Sequence, residues 1–200
     1  MIKPSKRKVA VVDVDLTVVD TVSPWIDYMN SLTGLNFEIK EGCQYPYNLT
    51  RIYAHALVNP TDTSELFEYW KSKTLYDNLQ PLPGSVEALK KLNDSGYDIV
   101  FASVLKHGHD KSKYYFLKRH FPFMAAVNFT KEKGYIKADL VIDDRNEYLN
   151  QFDGDWVTKV RMATPFIQTV NTTEYNQHGD DVIEIDSWLD FWEALNGLSA

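Results

Sequence analysis

Polar side chains that could do chemistry follow three predicted strands of this chain, at the points where the strands end. In chain order they are Asp13 and Asp15, then Ser103, then Asp143 and Asp144. A lysine, Lys133, precedes Asp143 by ten residues. Ligands of parallel α/β sheets bind beyond the carboxyl ends of the strands, so we expect these side chains to meet at one edge of the sheet. Carboxylates, a hydroxyl and a lysine in one place indicate a phosphoryl-transfer site.

The residue types suggest a different catalytic role for each group at this site. One carboxylate can attack phosphorus and form an acyl phosphate, and a second one two residues away can donate and then accept a proton. Crowded carboxylates repel each other unless a cation neutralises them. Mg²⁺ suits this role because it prefers oxygen ligands and keeps positions for phosphate and water. A lysine and a hydroxyl can bind the phosphoryl oxygens.

The elements that must position these side chains can be recognised from their composition. Short apolar, β-branched runs alternate with segments of helical periodicity, which predicts an α/β fold with a mostly parallel sheet. The predicted strands are 9–15, 97–102, 124–129, 139–142, 156–162 and 182–185. The helices predicted between and after them are 85–93, 110–120 and 187–196.

Residues 18–80 lack strand character and predict a small helical insert after the first strand. Ser23 and Pro24 suit the start of a helix, and Gly34 suits its end. The further helices predicted in the insert are 51–58 and 64–73. The predicted division is a catalytic core of 1–17 and 81–200 and a helical cap of 18–80.

Composition excludes several classes of protein. The 200 residues are 44% hydrophobic and 24% charged, which is ordinary for a globular chain. No apolar run approaches the ~20 residues of a membrane helix, so we expect no membrane association. The net charge of −7 argues against stable nucleic-acid binding. Cys43 is the only cysteine, which fits a cytoplasmic location.

The motifs resemble those of the haloacid dehalogenase-like superfamily. Residues 13–17 match its D-x-D-x-T motif, and Ser103, Lys133 and the 143–144 pair follow in the order of its other motifs. Within the superfamily the chain resembles the 5'(3')-deoxyribonucleotidases and the cytosolic type C 5'-nucleotidases. The further segments that carry this resemblance are 81–92, 130–145 and 186–192.

The resemblance implies a Rossmann-like core with a helical cap inserted after the first strand, and it implies a role for each motif residue. Asp13 corresponds to the nucleophile and Asp15 to the general acid and base. Ser103 and Lys133 correspond to the phosphate-binding residues, the spacing to the acidic pair favouring Lys133 over Lys131. The implied ligands of Mg²⁺ are Asp13, the backbone carbonyl of Asp15, and Asp144 with Asp143 beside it.

The sequence predicts the substrate pocket less clearly than it predicts the reaction. Thr21 stands where deoxyribonucleotidases carry an aromatic residue that packs on the base, and Leu16 where many members have glycine. Tyr45 and Tyr47 flank a proline in an irregular stretch and are the candidates for a base pocket. Asp20 could contact a ligand or cap the following helix.

Other aromatic residues and histidines of the sequence are given structural interpretations. Trp25 and Trp70 are expected in the interior of the insert. His107 and His109 have no third ligand nearby and are interpreted as solvent-facing loop residues.

The function predicted from these observations is Mg²⁺-dependent hydrolysis of a nucleoside monophosphate, a deoxyribonucleotide being favoured. Another small phosphomonoester, such as a sugar phosphate or a 3'-phosphate end, is the alternative within the class. A phosphorelay receiver is disfavoured because its acidic pair comes first in the chain, and here the pair comes last. A catalytically silent module on the same fold is the remaining alternative. The sequence leaves the choice between monomer and homodimer open.

Overall fold

A computed structural model describes residues 7–46, 49, 53, 67–105, 108–167 and 182–197. Its main feature is a parallel sheet of six strands with helices packed against it. The predicted α/β fold with a mostly parallel sheet is therefore confirmed. None of the helices within the described ranges has the length and apolar character that spanning a bilayer requires.

The strands and helices have the following bounds. The strands are β1 (Lys8–Val12), β2 (Tyr45–Pro46), β3 (Tyr97–Ser103), β4 (Ala126–Phe129), β5 (Leu140–Asp143), β6 (Thr158–Met162), β7 (Phe166–Ile167) and β8 (Val182–Ile185). The α-helices are α1 (Val22–Thr33), α2 (Ser85–Asp94), α3 (Asp110–His120), α4 (Asn146–Leu149) and α5 (Phe191–Gly197). Two 3-10 turns cover Tyr69–Lys71 and Lys133–Tyr135.

Strand β1 lies inside the sheet, whose order is β4-β3-β1-β5-β6-β8. Its residues alternate between two apolar layers, because successive side chains of a strand point to opposite faces. Ala10 and Val12 belong to the larger cluster, which contains residues of α2, α3 and α5, whereas Val11 packs with Val141 and Leu149 on the other face. Burial on both faces explains the continuous apolar composition of β1.

The register of the strands aligns their carboxyl ends. Val12 of β1 pairs with Phe101 on one side and with Ile142 on the other. The residues that follow these positions, Asp13 and the 143–144 pair, therefore emerge next to each other. Ser103 lies on β3 two residues after Phe101, the residue that pairs with Val12.

A second apolar cluster, called the insert cluster here, consists mainly of residues of the insert and includes Trp25, Ile26 and Met29 of α1. Helix α1 begins at Val22, earlier than the predicted Ser23–Pro24 start, and Gly34 ends it in a left-handed conformation as predicted. The predicted helix 51–58 lies outside the described residues apart from Tyr53. Of the predicted helix 64–73, the described part forms only the 3-10 turn 69–71.

Two short strands that the sequence analysis did not predict join the insert to the core. Strand β2 of the insert pairs in parallel with β7, which follows β6, and the Tyr45 backbone N–H donates to the Pro165 carbonyl at 2.8 Å. Phe166 of β7 belongs to the apolar cluster of the insert.

The ends of residues 18–80 pack with the sheet. Val18, Val19, Leu75 and Tyr76 lie in the larger apolar cluster of the core. The division of the chain at 17/18 and 80/81 stays a prediction.

Candidate active site

A tight loop after β1 positions Asp13 and Asp15. The Asp13 N–H donates to the Ile142 carbonyl at 2.9 Å, which continues the pairing with β5. The loop then closes through the Leu16 N–H, which donates to the Val19 carbonyl at 2.8 Å. Leu16 has φ 58°, the left-handed region in which a side chain costs ~1–2 kcal/mol. A glycine at this position would avoid that cost, and here the buried Leu16 side chain packs with the insert cluster.

Three buried carboxylates meet at the ends of β1 and β5. Asp13, Asp143 and Asp144 each offer an oxygen within 4.8 Å of the others. Lys133 lies between two of them, because its Nζ donates to Asp13 Oδ1 and to Asp143 Oδ2, both at 2.6 Å. The Lys133 side chain is only 1% exposed. The structure thus brings the predicted lysine to the predicted carboxylates, and the exposed Lys131 remains outside this cluster.

The three carboxylates carry more negative charge than Lys133 balances. Burial raises the pKa of the Asp143 carboxyl to about 7; Lys133 acts in the opposite direction and Asp13 in the same one. Burial and the charges of Asp143 and Asp13 hold the pKa of Asp144 well above its usual value. A divalent cation among these oxygens would supply the missing positive charge, so the donor set fits a hard metal ion.

The backbone after β4 positions Lys133 through a close approach. Lys133 and Gly134 belong to the 3-10 turn 133–135. A Cβ on Gly134 would lie 2.3 Å from the backbone oxygen of Gln151. Glycine is therefore required beside Lys133 for the turn to lie against the segment that follows α4.

Asp15 has different neighbours from Asp13. Lys113 Nζ donates to Asp15 Oδ2 at 2.6 Å, and the Tyr76 hydroxyl donates to Oδ1 at 2.5 Å. Ser103 Oγ accepts a hydrogen bond from Lys113 at 2.9 Å and lies 3.4 Å from Oδ2. Burial by itself raises the pKa of Asp15, but the Lys113 charge and the hydrogen bonds from Lys113 and Tyr76 hold it below the usual value. Asp15 is thus ionised at neutral pH in the free protein.

Lys113 and Tyr76 are site residues that the sequence analysis missed. The Lys113 side chain is fully buried. It shares the buried face of α3 with Ser112, Phe116 and Leu117, and a lysine at this spacing on an apolar face was a usable signal. Tyr76 follows a segment without clear periodicity, so nothing in its sequence surroundings indicated a contact with Asp15.

A cavity of about 600 Å³ opens beside Asp15. Its described lining is rich in apolar and aromatic side chains from both the insert and the core. The aromatic residues in it are Trp25, Phe67, Trp70, Tyr76, Tyr148 and Phe166. The polar and charged residues besides Asp15 are Thr21, His109, Lys131, Arg145 and Glu147. The volume and the mixture of apolar walls and a few polar groups are those of a small-molecule site.

The proposed pocket residues of the sequence analysis lie in different places. Asp20 Oδ1 accepts the backbone N–H groups of Val22 and Ser23 at 2.9 and 3.0 Å, so its carboxylate caps α1. Tyr45 packs edge-to-face on Phe37 and is not among the described residues that line the cavity. Tyr47 lies outside the described residues.

The expectation for His109 was wrong, whereas Trp25 and Trp70 have two roles. His109 is 3% exposed and lines the cavity, so it is not a solvent-facing loop residue. It directly precedes the first residue of α3 and contacts Trp70 of the insert. His107 lies outside the described residues. Trp25 and Trp70 pack with the insert cluster, as expected, and also form part of the cavity wall.

Comparison with known proteins identifies a matching family and relatives of about 70% of the chain. Residues 7–198 match the family described as 5' nucleotidase, deoxy (pyrimidine), cytosolic type C. The mitochondrial 5'(3')-deoxyribonucleotidase of Homo sapiens is 26% identical over 147 residues, which cover 69% of this chain and 60% of that protein. The 5'(3')-deoxyribonucleotidase of Bacillus subtilis is 26% identical over 151 residues, which cover 74% of this chain and 82% of that protein.

Solved structures share the fold at lower sequence identity. A HAD-superfamily hydrolase from Ehrlichia chaffeensis aligns with a TM-score of 0.52 at 14% identity, covering 98% of this chain and 100% of that one. This likeness confirms the haloacid dehalogenase-like fold indicated by the motifs.

Proposed function

The chain belongs to the cytosolic type C 5'-nucleotidase family, and from this membership and the geometry of the site we propose that it hydrolyses nucleoside monophosphates, 5'(3')-deoxyribonucleotides being the favoured substrates. The observation that carries the proposal is the placement of two differently held carboxylates on one loop, Asp13 against Lys133 and Asp15 at the wall of an aromatic cavity of about 600 Å³. The proposed location is the cytoplasm, and residues 18–80 are proposed as the cap over the site.

Asp13 is proposed as the nucleophile. Lys133 holds its Oδ1, and among the described residues no donor binds Oδ2. An Asp13 oxygen attacks the phosphorus and forms an acyl phosphate, while the bond from phosphorus to the ester oxygen breaks with its electron pair going to that oxygen. Fixing one carboxylate oxygen restricts the other to few orientations, which favours attack along one line.

Asp15 is proposed as the general acid and base. In the first step it gives a proton to the leaving ester oxygen, and in the second step it takes a proton from the water that attacks the phosphorus of the acyl phosphate. The second step returns Asp13 as a carboxylate and releases inorganic phosphate. Lys113 favours the ionised, proton-accepting form of Asp15, and the negative charge of a bound phosphate opposes Lys113 and favours the protonated form.

The phosphate is proposed to lie between these carboxylates and the residues around them. Ser103 and Lys133 are the proposed phosphate ligands, and Lys113 adds a further positive charge next to Ser103. Asp13, Asp143, Asp144 and the Asp15 backbone carbonyl would hold Mg²⁺, which would supply positive charge to the phosphoryl oxygens when bound.

The aromatic lining supports a nucleotide as the substrate. Trp25 and Trp70 come from the insert, and Tyr148 and Phe166 come from the core, so the lining offers a planar base several aromatic side chains on which to pack. A sugar phosphate has no planar ring that could stack on these aromatic side chains. The lining therefore favours the nucleotide over the sugar phosphate as substrate.

Phosphate release from a panel of phosphomonoesters tests the proposal. The panel contains deoxy- and ribonucleoside 5'- and 3'-monophosphates and sugar phosphates, each with Mg²⁺ and with a chelator. Asp13→Asn is the inactive variant, since it removes the nucleophile and not a packing group. Asp153→Asn is the matched control, because Asp153 is exposed and lies outside the site.

Each outcome of the panel has a definite meaning. Mg²⁺-dependent release from deoxynucleotides that Asp13→Asn abolishes and Asp153→Asn retains supports the proposal. Release from sugar phosphates alone would keep the mechanism and reject the nucleotide. No release from any ester by the folded protein would reject the phosphatase and favour a silent module.

A further inference from the structure

His109 joins the core to the insert at the cavity. It is buried, and its backbone carbonyl accepts the Lys113 N–H at 3.0 Å in the first turn of α3. Its ring contacts the insert, at Trp70 and Tyr76. The same residue therefore contacts the helix that supplies Lys113 and the segment that supplies Trp70 and Tyr76.

The contact with Trp70 is directional. His109 Nδ1 lies 3.1 Å from the Trp70 backbone carbonyl oxygen. A carbonyl oxygen can only accept, so Nδ1 carries the hydrogen and donates it. This hydrogen bond holds the 3-10 turn 69–71, whose aromatic side chain Trp70 is part of the cavity wall.

A second contact fixes the plane of the ring. The His109 ring lies 5.5 Å from the Tyr76 ring, centroid to centroid. Tyr76 is itself anchored through its hydroxyl to Asp15 at 2.5 Å. The imidazole is thus held between the anchored Tyr76 and the Trp70 carbonyl, and its orientation towards that carbonyl is set by packing.

We propose that His109 is a positioning residue that fastens the Trp70 wall of the cavity to helix α3, and that this fastening makes the protein prefer phosphate esters that carry a base. The preference for a base rests on the proposed function, whereas the fastening does not. Releasing the turn 69–71 removes an aromatic wall from the base but leaves Asp13 and its phosphate ligands in place. The loss should therefore be larger for nucleotides, as a rise in KM, than for a small ester without a base.

Three substitutions of His109 separate the hydrogen bond from the volume of the ring. His109→Asn places an amide N–H near the position of Nδ1 and can still donate to Trp70, whereas His109→Gln extends past that position. His109→Ala removes both the donor and the ring. Lys111→Ala is the control, because Lys111 is exposed in the same turn of α3.

Steady-state kinetics measure the effect on substrate preference. We expect His109→Ala and His109→Gln to raise KM for a deoxynucleoside monophosphate about fivefold, the equivalent of one hydrogen bond of ~1 kcal/mol. The ratio of kcat/KM for the deoxynucleotide to kcat/KM for glycerol phosphate should fall about fivefold in both variants. His109→Asn should restore the wild-type KM. If the two esters lose activity in equal proportion in every variant, His109 does not act through the base wall and the proposal fails.

Amide hydrogen exchange tests the fastening without any activity. Peptides covering 67–76 should exchange faster in His109→Gln and His109→Ala than in wild type, and at the wild-type rate in His109→Asn and Lys111→Ala. Equal exchange in His109→Gln and His109→Asn would overturn the proposal even if His109→Ala does not fold. If wild type hydrolyses no nucleotide, the proposed function fails, and the exchange rates alone still decide the fastening.

Discussion

Replacing Lys113 by methionine tests the ion pair that holds Asp15. The change removes the ammonium group 2.6 Å from Asp15 Oδ2 and keeps an apolar side chain of similar length. Asp15 then keeps the hydrogen bond from Tyr76 and the 3.4 Å hydrogen bond from Ser103, but it loses the ammonium group that pairs with its charge. We expect lower stability at neutral pH, because the remaining carboxylate is poorly solvated.

The size of the effect follows from burial. Breaking a fully buried ion pair costs ~3–5 kcal/mol. The Asp15 side chain is 27% exposed, so water partly solvates it after the change, and a loss of ~2 kcal/mol is the reasonable expectation. For a chain of this length that loss lowers Tm by about 4–8 °C.

The pH dependence distinguishes a charge effect from a packing effect. The pKa of Asp15 is lowered in the folded protein, so its stabilising contribution is present above the unfolded pKa of ~3.9 and is lost as the pH falls through the folded value. In Lys113→Met the charge and hydrogen bond of Lys113 no longer oppose burial, so the pKa of Asp15 rises relative to wild type and the loss of stability is relieved when Asp15 is protonated. The difference in free energy of unfolding between wild type and variant should therefore shrink from pH 7 to pH 4.

Urea unfolding followed by far-UV circular dichroism at the two pH values measures this difference. Lys111→Met, an exposed lysine on the same helix, is the control and should change stability by less than ~0.5 kcal/mol. In a double-mutant cycle, Asp15→Asn together with Lys113→Met should cost less than the sum of the single changes. A loss of equal size at pH 7 and pH 4, with additive single changes, would refute the ion pair as the cause.

Three further predictions concern the remaining parts of the site. Tyr76→Phe removes a hydrogen bond to the charged Asp15 and should lower kcat about tenfold in steady-state assays, with little change in far-UV circular dichroism. An unchanged kcat would show that this hydrogen bond does not matter for the reaction. Mg²⁺ at about 100 times its Kd should stabilise wild type by ~2.7 kcal/mol in thermal unfolding, and Asp144→Asn should lose most of this stabilisation. Equal stabilisation of wild type and variant would mean that the ion binds elsewhere. Phe166→Ala removes the part of the cavity wall supplied by β7 and should raise KM for nucleotides more than KM for glycerol phosphate. An equal rise in KM for both esters would contradict this prediction.

Local patterns of the sequence were sufficient for the sheet and for one half of the site. The apolar run of β1 predicts a strand buried on both faces, and the strand ends predict where Asp13 and the 143–144 pair emerge. Because parallel strands carry their carboxyl ends to one edge, the approach of these carboxylates follows from the order of elements alone. The spacing of Lys133 from Asp143 selected it over Lys131, and the structure places Lys133 between the two strand ends.

The other half of the site depended on contacts between segments far apart in the chain. Lys113 meets Asp15 across 98 residues and Tyr76 meets it across 61, and neither approach follows from local periodicity. His109 contacts Trp70 and Tyr76 of the insert, and these contacts also join segments far apart in the chain. Short-range patterns report which residues are apolar and which elements form, but the closure of an insert over a core is decided by tertiary packing. That packing determines which aromatic side chains form the cavity wall, and so the part of the site that selects the substrate.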